Sequence, residues 1–268
     1  MEGMRQVPLQ EMVPHFLVVG VQKGGTTTLH SLLKLHPEIF LPDKKELHFF
    51  SLNYDKGLPW YSSHFSEAYS HQIAGEVTPY YLFHPYVAER ILKDLGQIKV
   101  IVLLRDPVAR LISHYKHAVR LGFEELGLCD AIKKEPERLK DAFQSLEPIN
   151  GRHKNHQELS YVSRSLYRSQ IDRYWTVIGK ENVLVLPSET FFQNPWSILQ
   201  RIYNFLELPI PPTPTDNLLK LRANQSKLSS REMLTSDLIN FLRSKLDDSY
   251  DFAVNELGWG YGIPWHWS

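Results

Sequence analysis

Five apolar residues stand in a row at Val100-Ile101-Val102-Leu103-Leu104 and stop at Arg105-Asp106-Pro107. A strand with one wet face alternates apolar and polar side chains. A run without alternation must be buried on both faces, as in the middle of a parallel sheet. Shorter apolar runs stand at Phe16-Leu17-Val18-Val19 and Val183-Leu184-Val185-Leu186, and Glu38-Ile39-Phe40-Leu41 and Ile73 to Val77 suggest two further strands. Helix-period segments separate them. Leu29, Leu32 and Leu33 fall at helical spacing and His36-Pro37 stops that helix. Asp106-Pro107 caps and opens another, with proline at its first position. Leu166, Ile171, Tyr174 and Ile178 mark a third. This alternation predicts one α/β domain over residues 16–260, with a central parallel sheet flanked by helices and right-handed crossovers. The chain has 268 residues, 43% of them hydrophobic, so it can bury a core and is not disordered.

Two stretches differ from this pattern. Residues 122–157 are polar, with Lys133, Lys134, Glu135, Glu137, Arg138 and Lys140 close together. They read either as a solvated helical face or as a lid facing substrate. Four prolines between Pro209 and Asp216 predict an extended connector. Met233, Leu234, Leu238, Phe241, Leu242 and Leu246 then predict a long amphipathic helix, and the aromatic tail Trp259–Trp267 is expected to pack back on the body.

Charge narrows the function. Thirty basic residues balance thirty acidic ones, so no whole-surface grip on nucleic acid or a polyanionic glycan is available, only a local basic pocket. No apolar run approaches the roughly 18 residues of a membrane span. Met1–Pro14 lacks the apolar core of a signal peptide. Cys129 is the single cysteine, so no internal disulfide forms. Together these predict a cytoplasmic chain whose sequon Asn224-Gln225-Ser226 is not glycosylated.

The first chemical constellation is Gln22-Lys23-Gly24-Gly25-Thr26-Thr27-Thr28, between a buried strand and a helix. Adjacent glycines admit an anion close to the backbone, and the helix start attracts phosphate. The arrangement is P-loop-like. An ordinary glycine turn capped by threonine is the plain alternative. A nucleotide kinase is the chemical rival, but its loop carries lysine after the second glycine and a carboxylate on a neighbouring strand for magnesium. Here Lys23 precedes the glycines and the neighbouring strand ends in Arg105. The second constellation is Arg105 with Ser113, two helical turns on. A guanidinium and a hydroxyl so placed can share one phosphate, although Arg105 could equally pair with a carboxylate.

Taken in order, the two blocks resemble the sulfotransferase superfamily, and more closely its heparan-sulfate-sulfotransferase branch. Lys45-Glu46-Leu47-His48-Phe49-Phe50, Glu76-Val77-Thr78-Pro79-Tyr80-Tyr81 and Ser163-Arg164-Ser165-Leu166-Tyr167 resemble segments of that branch. The resemblance implies 3′-phosphoadenosine 5′-phosphosulfate (PAPS) as donor, without a metal. Lys23, Gly24, Gly25, Thr26, Thr27 and Thr28 would hold its 5′-phosphosulfate. Arg105 and Ser113 would hold the 3′-phosphate, with Lys227 in place of a missing Lys-Gly-Arg segment. The branch has a lysine where this chain has Val77, and it has paired cysteines that are absent here. Both differences point away from a glycan and toward a smaller hydroxyl, as in a soluble bacterial member. One such acceptor is a β-hydroxyacyl chain on an acyl carrier protein, as in polyketide assembly lines.

The third constellation is Glu46 with His48. On an extended segment both side chains share one face, and either can take the acceptor's proton. The resemblance favours Glu46 as base, with His48 orienting the acceptor. Phe50, Tyr80 and Tyr81 are expected either to wall the acceptor pocket or to pack in the core. His114/His117 and His153/His156 are spaced like metal ligands but lack a third, so no metal site is expected.

Overall fold

A computed structural model of the chain describes residues 13–214, 235–260 and Trp265. Its sheet has five strands: β1 (Phe16–Gly20), β2 (Ile39–Phe40), β3 (Ile73–Val77), β4 (Lys99–Leu104) and β5 (Val183–Pro187). They run in the order β2-β3-β1-β4-β5, and every neighbouring pair is parallel. The helices are α1 (Thr26–Leu33), α2 (Phe49–Leu52), α3 (Gly57–Ser62), α4 (Val87–Leu95), α5 (Pro107–Arg120), α6 (Leu128–Leu139), α7 (Ala142–Leu146), α8 (Lys154–Glu158), α9 (Tyr167–Ile178), α10 (Ser188–Gln193), α11 (Pro195–Phe205) and a C-terminal helix, Ser236–Asn255. The result is the α/β architecture that the apolar runs predict.

Alternate residues of a strand face opposite sides of the sheet, so β4 serves two cores. Val100, Val102 and Leu104 meet Ile91 of α4 and Ile171 and Tyr174 of α9. Ile101 and Leu103 meet Leu29 and Leu32 of α1 and Ile198 and Ile202 of α11. Burying each such aliphatic side chain contributes about 1.5–3 kcal/mol, which is why the runs without polar residues become interior strands. A third cluster joins α5, α6 and the C-terminal helix through Leu111, Ile132 and Leu242.

The polar stretch 122–157 is not simply a solvated face. Lys133, Lys134, Glu137 and Lys140 are exposed, but Glu124 and Glu135 are buried. Glu135 accepts the N–H groups of Tyr161, Val162 and Ser163 at 2.7–2.9 Å. Arg138 forks onto Glu124 at 2.5 and 3.0 Å. Residues 208–214 carry no regular structure, in keeping with an extended connector. Of the aromatic tail, Trp259 packs against the core and Trp265 donates Nε1–H to Glu189 at 2.7 Å. Asn224–Lys227, Met233, Leu234 and the rest of the tail lie outside the described residues.

Glu76, on β3, is a hub. It is 2% exposed, and it accepts hydroxyl bonds from Tyr61 (2.5 Å), Thr78 (2.5 Å) and Tyr81 (2.9 Å). Burial pushes its carboxyl up, against the opposing pull of those hydroxyls. Tyr81 Oη also accepts the Phe50 N–H at 3.2 Å. Phe50 and Tyr81 are therefore interior, and the expectation of both as pocket walls is corrected: their rings pack edge-on in an aromatic cluster with Tyr61. Glu76→Ala leaves three buried hydroxyls without this acceptor, at about 1–3 kcal/mol each. The variant should lose at least about 3 kcal/mol of stability in urea denaturation, and Glu76→Gln less. A loss under about 1 kcal/mol for the alanine variant would show that Glu76 organises nothing.

Candidate active site

The chain leaves β1 at Gly20 and turns into α1 across the carboxyl edge of the sheet, where α/β folds place ligands. Val21 N–H donates to the Leu103 carbonyl at 2.9 Å, Gly24 N–H to the Val21 carbonyl at 2.9 Å, and Ser188 Oγ–H to the Gly24 carbonyl at 2.7 Å. A Cβ on Gly24 would sit 2.7 Å from the Leu103 carbonyl oxygen. Gly24 is thus needed for close packing. It spends its N–H inside the turn and does not line the cavity, which corrects its expected contact with an anion. Gly25 has φ 97°, a conformation that favours glycine, and no side chain caps α1. The helix start is left as an anion-binding end.

Lys23, Gly25, Thr26, Thr27, Thr28, Arg105 and Ser113 line one cavity of about 270 Å³, with Gln22, Lys45, Glu46, Pro79, His117 and Phe192. Arg105 Nη1 donates to the Lys23 carbonyl at 3.1 Å. Its partner is a backbone oxygen and not a carboxylate. Burial pushes the Lys23 ammonium down to about 8, and Arg120, Arg105 and Arg110 add repulsion that Glu46 only partly offsets. A buried lysine with three arginines near it and one carboxylate to offset them marks a pocket short of negative charge. That excess, the uncapped helix and the threonine hydroxyls are a donor set that fits a phosphosulfate nucleotide.

A second cavity of about 230 Å³ adjoins the first. Gln22, Glu46, Pro79 and His117 belong to both walls, and His48, Tyr80, Leu121, Phe123, Gln157, Glu158 and Arg164 complete the second. Tyr80 is thus on a wall as well as buried, with its Oη 2.8 Å from His156 Nδ1. His48 Nε2 lies 3.6 Å from Glu46 Oε2, and Lys45 pairs with Glu46 Oε1. Burial raises the Glu46 carboxyl, but His48 and Lys45 outweigh it and hold it at about 2.

Glu46 and His48 do stand together, but not by alternation on an extended segment. Both backbones are left-handed, at φ 62° and 55°, and Lys23 shares the feature at φ 73°. Side chains with a Cβ resist this conformation, and such strain gathers at functional sites.

The predicted histidine pairs do other work. His114 is buried against Tyr161, His117 lines both cavities, His153 meets Asp141, and His156 stacks on Phe83. Asp106, the carboxylate nearest the end of β4, is also engaged. It caps α5 through Ala109 N–H at 2.7 Å and accepts the Tyr250 hydroxyl at 2.9 Å. It is not poised to hold the magnesium that a nucleotide kinase needs.

Sequence reasoning missed Gln22, Lys45, His117, Glu158 and Arg164 as wall residues. Gln22 and Lys45 adjoin recognised motifs and Arg164 lies within one, so adjacency was the available signal. Glu158 had none.

Comparison with known proteins agrees with this geometry. A family model described as "Sulfotransferase domain" matches residues 13–251. Human heparan sulfate glucosamine 3-O-sulfotransferase 5 is 30% identical over 214 residues, 78% of this chain and 57% of that protein. Membrane-associated sulfotransferase kil1 of Dictyostelium discoideum is 34% identical over 156 residues, 51% of this chain and 33% of its own. The chain thus spans a third to rather more than half of these curated relatives. The crystal structure of a sulfotransferase from Alicyclobacillus acidocaldarius superposes with a TM-score of 0.72 at 28% identity, covering 92% of this chain and 96% of that one. Among the described residues no helix is long and apolar enough to cross a membrane. The match across nearly the whole described body, on a fold and loop of the matching kind, places this chain in the sulfotransferase family.

Proposed function

We propose that this protein moves a sulfuryl group from PAPS to a hydroxyl acceptor by in-line transfer. The observation that carries the reading is the pair of adjoining cavities, one rich in cations, sharing Gln22, Glu46, Pro79 and His117 at their border. The donor would supply an activated sulfuryl group on a phosphate leaving group. Lys23 and the start of α1 stabilise charge that develops on the leaving oxygen. Arg105 and Ser113 hold the 3′-phosphate. Glu46, ionised at every working pH, takes the acceptor's proton, and His48 orients the hydroxyl. Lys227 completes the donor site in this reading.

Two acceptor readings stand. The carrier-bound β-hydroxyacyl chain is supported by the apolar side chains of Leu121 and Phe123 at the second cavity and by Val77, a core residue 1% exposed where the heparan-type segment has lysine. The glycan reading is favoured by the 30% identity to a heparan sulfate enzyme. Incubation with labelled PAPS separates them. Mass spectrometry should find sulfate on the hydroxyacyl carrier and none with Glu46→Gln. Transfer to desulfated heparan alone would establish the glycan reading.

Arg105→Ala should weaken binding of adenosine 3′,5′-bisphosphate about ten- to a hundredfold and of 5′-AMP far less, since a charge-assisted bond is worth about 1.5–3 kcal/mol. Equal losses in calorimetry would remove Arg105 from the 3′-phosphate. Lys23→Ala should lower kcat more than donor affinity, because its charge matters most as the bond breaks. In the unmodified protein Lys23 is charged below about 8 and neutral above. Bisphosphate binding should therefore weaken as pH rises through about 8 and be accompanied by proton uptake there. Flat affinity from about pH 7 to 9 would place Lys23 away from the ligand.

A further inference from the structure

The two cavities differ in charge. Lys23, Lys45 and Arg105 wall the donor side. The acceptor side has no lysine, and its arginine, Arg164, is 2% exposed. Arg164 donates to Gln22 Oε1 and to the carbonyls of His156 (2.8 Å) and Gln157 (2.7 Å). Its guanidinium also lies over the rings of Tyr80 and Phe83, at 5.2 and 4.9 Å. It braces the wall and is not offered to a ligand.

Glu158 is placed otherwise. It ends α8, is half-buried and lines the same cavity. No hydrogen-bond or ion-pair partner reaches its carboxylate among the described residues, and Arg164 is beyond ion-pairing distance. Burial pushes its carboxyl up, against the attraction of Arg164. Partial burial of an unpaired carboxylate is costly, and a cavity-lining group of this kind is satisfied when a ligand brings the donor. The same cavity holds Glu46 and His48, and it is flanked by Leu121 and Phe123, 46% and 38% exposed; Lys154, which lies over the Phe123 ring at 5.4 Å, is not among the lining residues.

We propose that Glu158 selects the acceptor: it receives a hydrogen bond from a donor group beside the reacting hydroxyl and repels anionic acceptors, while Leu121 and Phe123 cover an apolar flank. The substrate class is an uncharged amphiphile with a second hydroxyl or an amide N–H next to the sulfated hydroxyl. The proposal rests on the sulfotransferase reading and deepens it.

Octyl glucoside and octyl glucuronide test it, since they share a tail and differ in one carboxylate. The protein should sulfate the glucoside with kcat/KM about tenfold or more above the glucuronide. Glu158→Ala should raise KM for the glucoside about tenfold or more, with a smaller change in kcat. Glu158→Gln, which keeps an accepting oxygen, should retain the glucoside and lose discrimination. Glu158→Lys should reverse the preference. Calorimetry with adenosine 3′,5′-bisphosphate should give unchanged affinity in all three, which reports an intact fold and donor site. Unaltered KM in Glu158→Ala, or a preference of the unmodified protein for the glucuronide, overturns the proposal. Bisphosphate binding without transfer to the glucoside overturns it and leaves the donor reading standing. No bisphosphate binding overturns both.

Discussion

The N–H of Val21 reaches the carbonyl of Leu103 at 2.9 Å, and much of the site hangs on that bond. The β1–β4 register shifts between Val18 and Gly20, so the chain departs from the ladder just as it leaves the strand. Val21 recovers a partner on β4 immediately. Gly24 then comes so close to Leu103 that no Cβ fits, and Arg105 returns a bond to the Lys23 carbonyl. Ser188, just beyond β5, holds the Gly24 carbonyl from the other side. Parallel strands deliver their loops to a common edge, which is why the ends of β4 and β5 can grip the turn that leaves β1.

What that grip holds is electrostatically and conformationally expensive. Burial pushes the Lys23 ammonium down, and the arginines around it add repulsion. Lys23, Glu46 and His48 all sit in left-handed backbone, at about 1–2 kcal/mol each for a residue with a Cβ. The surrounding sheet and aromatic cluster over-determine these conformations, so they persist. A site strained and short of negative charge before its ligand arrives is preorganised for that ligand.

The frame behind the second cavity is built on a different principle. Arg110 and Arg164 are both deeply buried, and among the described residues neither has a carboxylate at ion-pairing distance. Arg110 holds Ser165 Oγ at 2.6 Å and the Tyr161 carbonyl, while Glu135 gathers three backbone N–H groups from the same stretch. Charged groups spent on main chain make a rigid frame. The side chains of Leu121, Phe123 and Glu158 line the same cavity in front of that frame, with the Lys154 ammonium over the Phe123 ring at 5.4 Å.

The sequence by itself determined the sheet. Val100–Leu104 has no polar residue to face water, so an interior strand was its one stable use. It also determined the loop at Lys23–Thr28 and the Arg105–Ser113 block, because glycine, proline and helix-capping chemistry act over a few residues. Within 122–157 the sequence could not separate Glu135 and Arg138 from the exposed charges beside them, since these two take partners that only chain reversal brings near. The tertiary structure alone decided which aromatics line a cavity. Phe50, Tyr80 and Tyr81 are alike in composition, yet Glu76 draws Tyr81 and Phe50 inward while Tyr80 meets His156 on the wall. It alone placed Glu158 in the cavity that holds Glu46. Side-chain pattern records whether a residue wants burial, and the packing of distant segments decides what it is buried against.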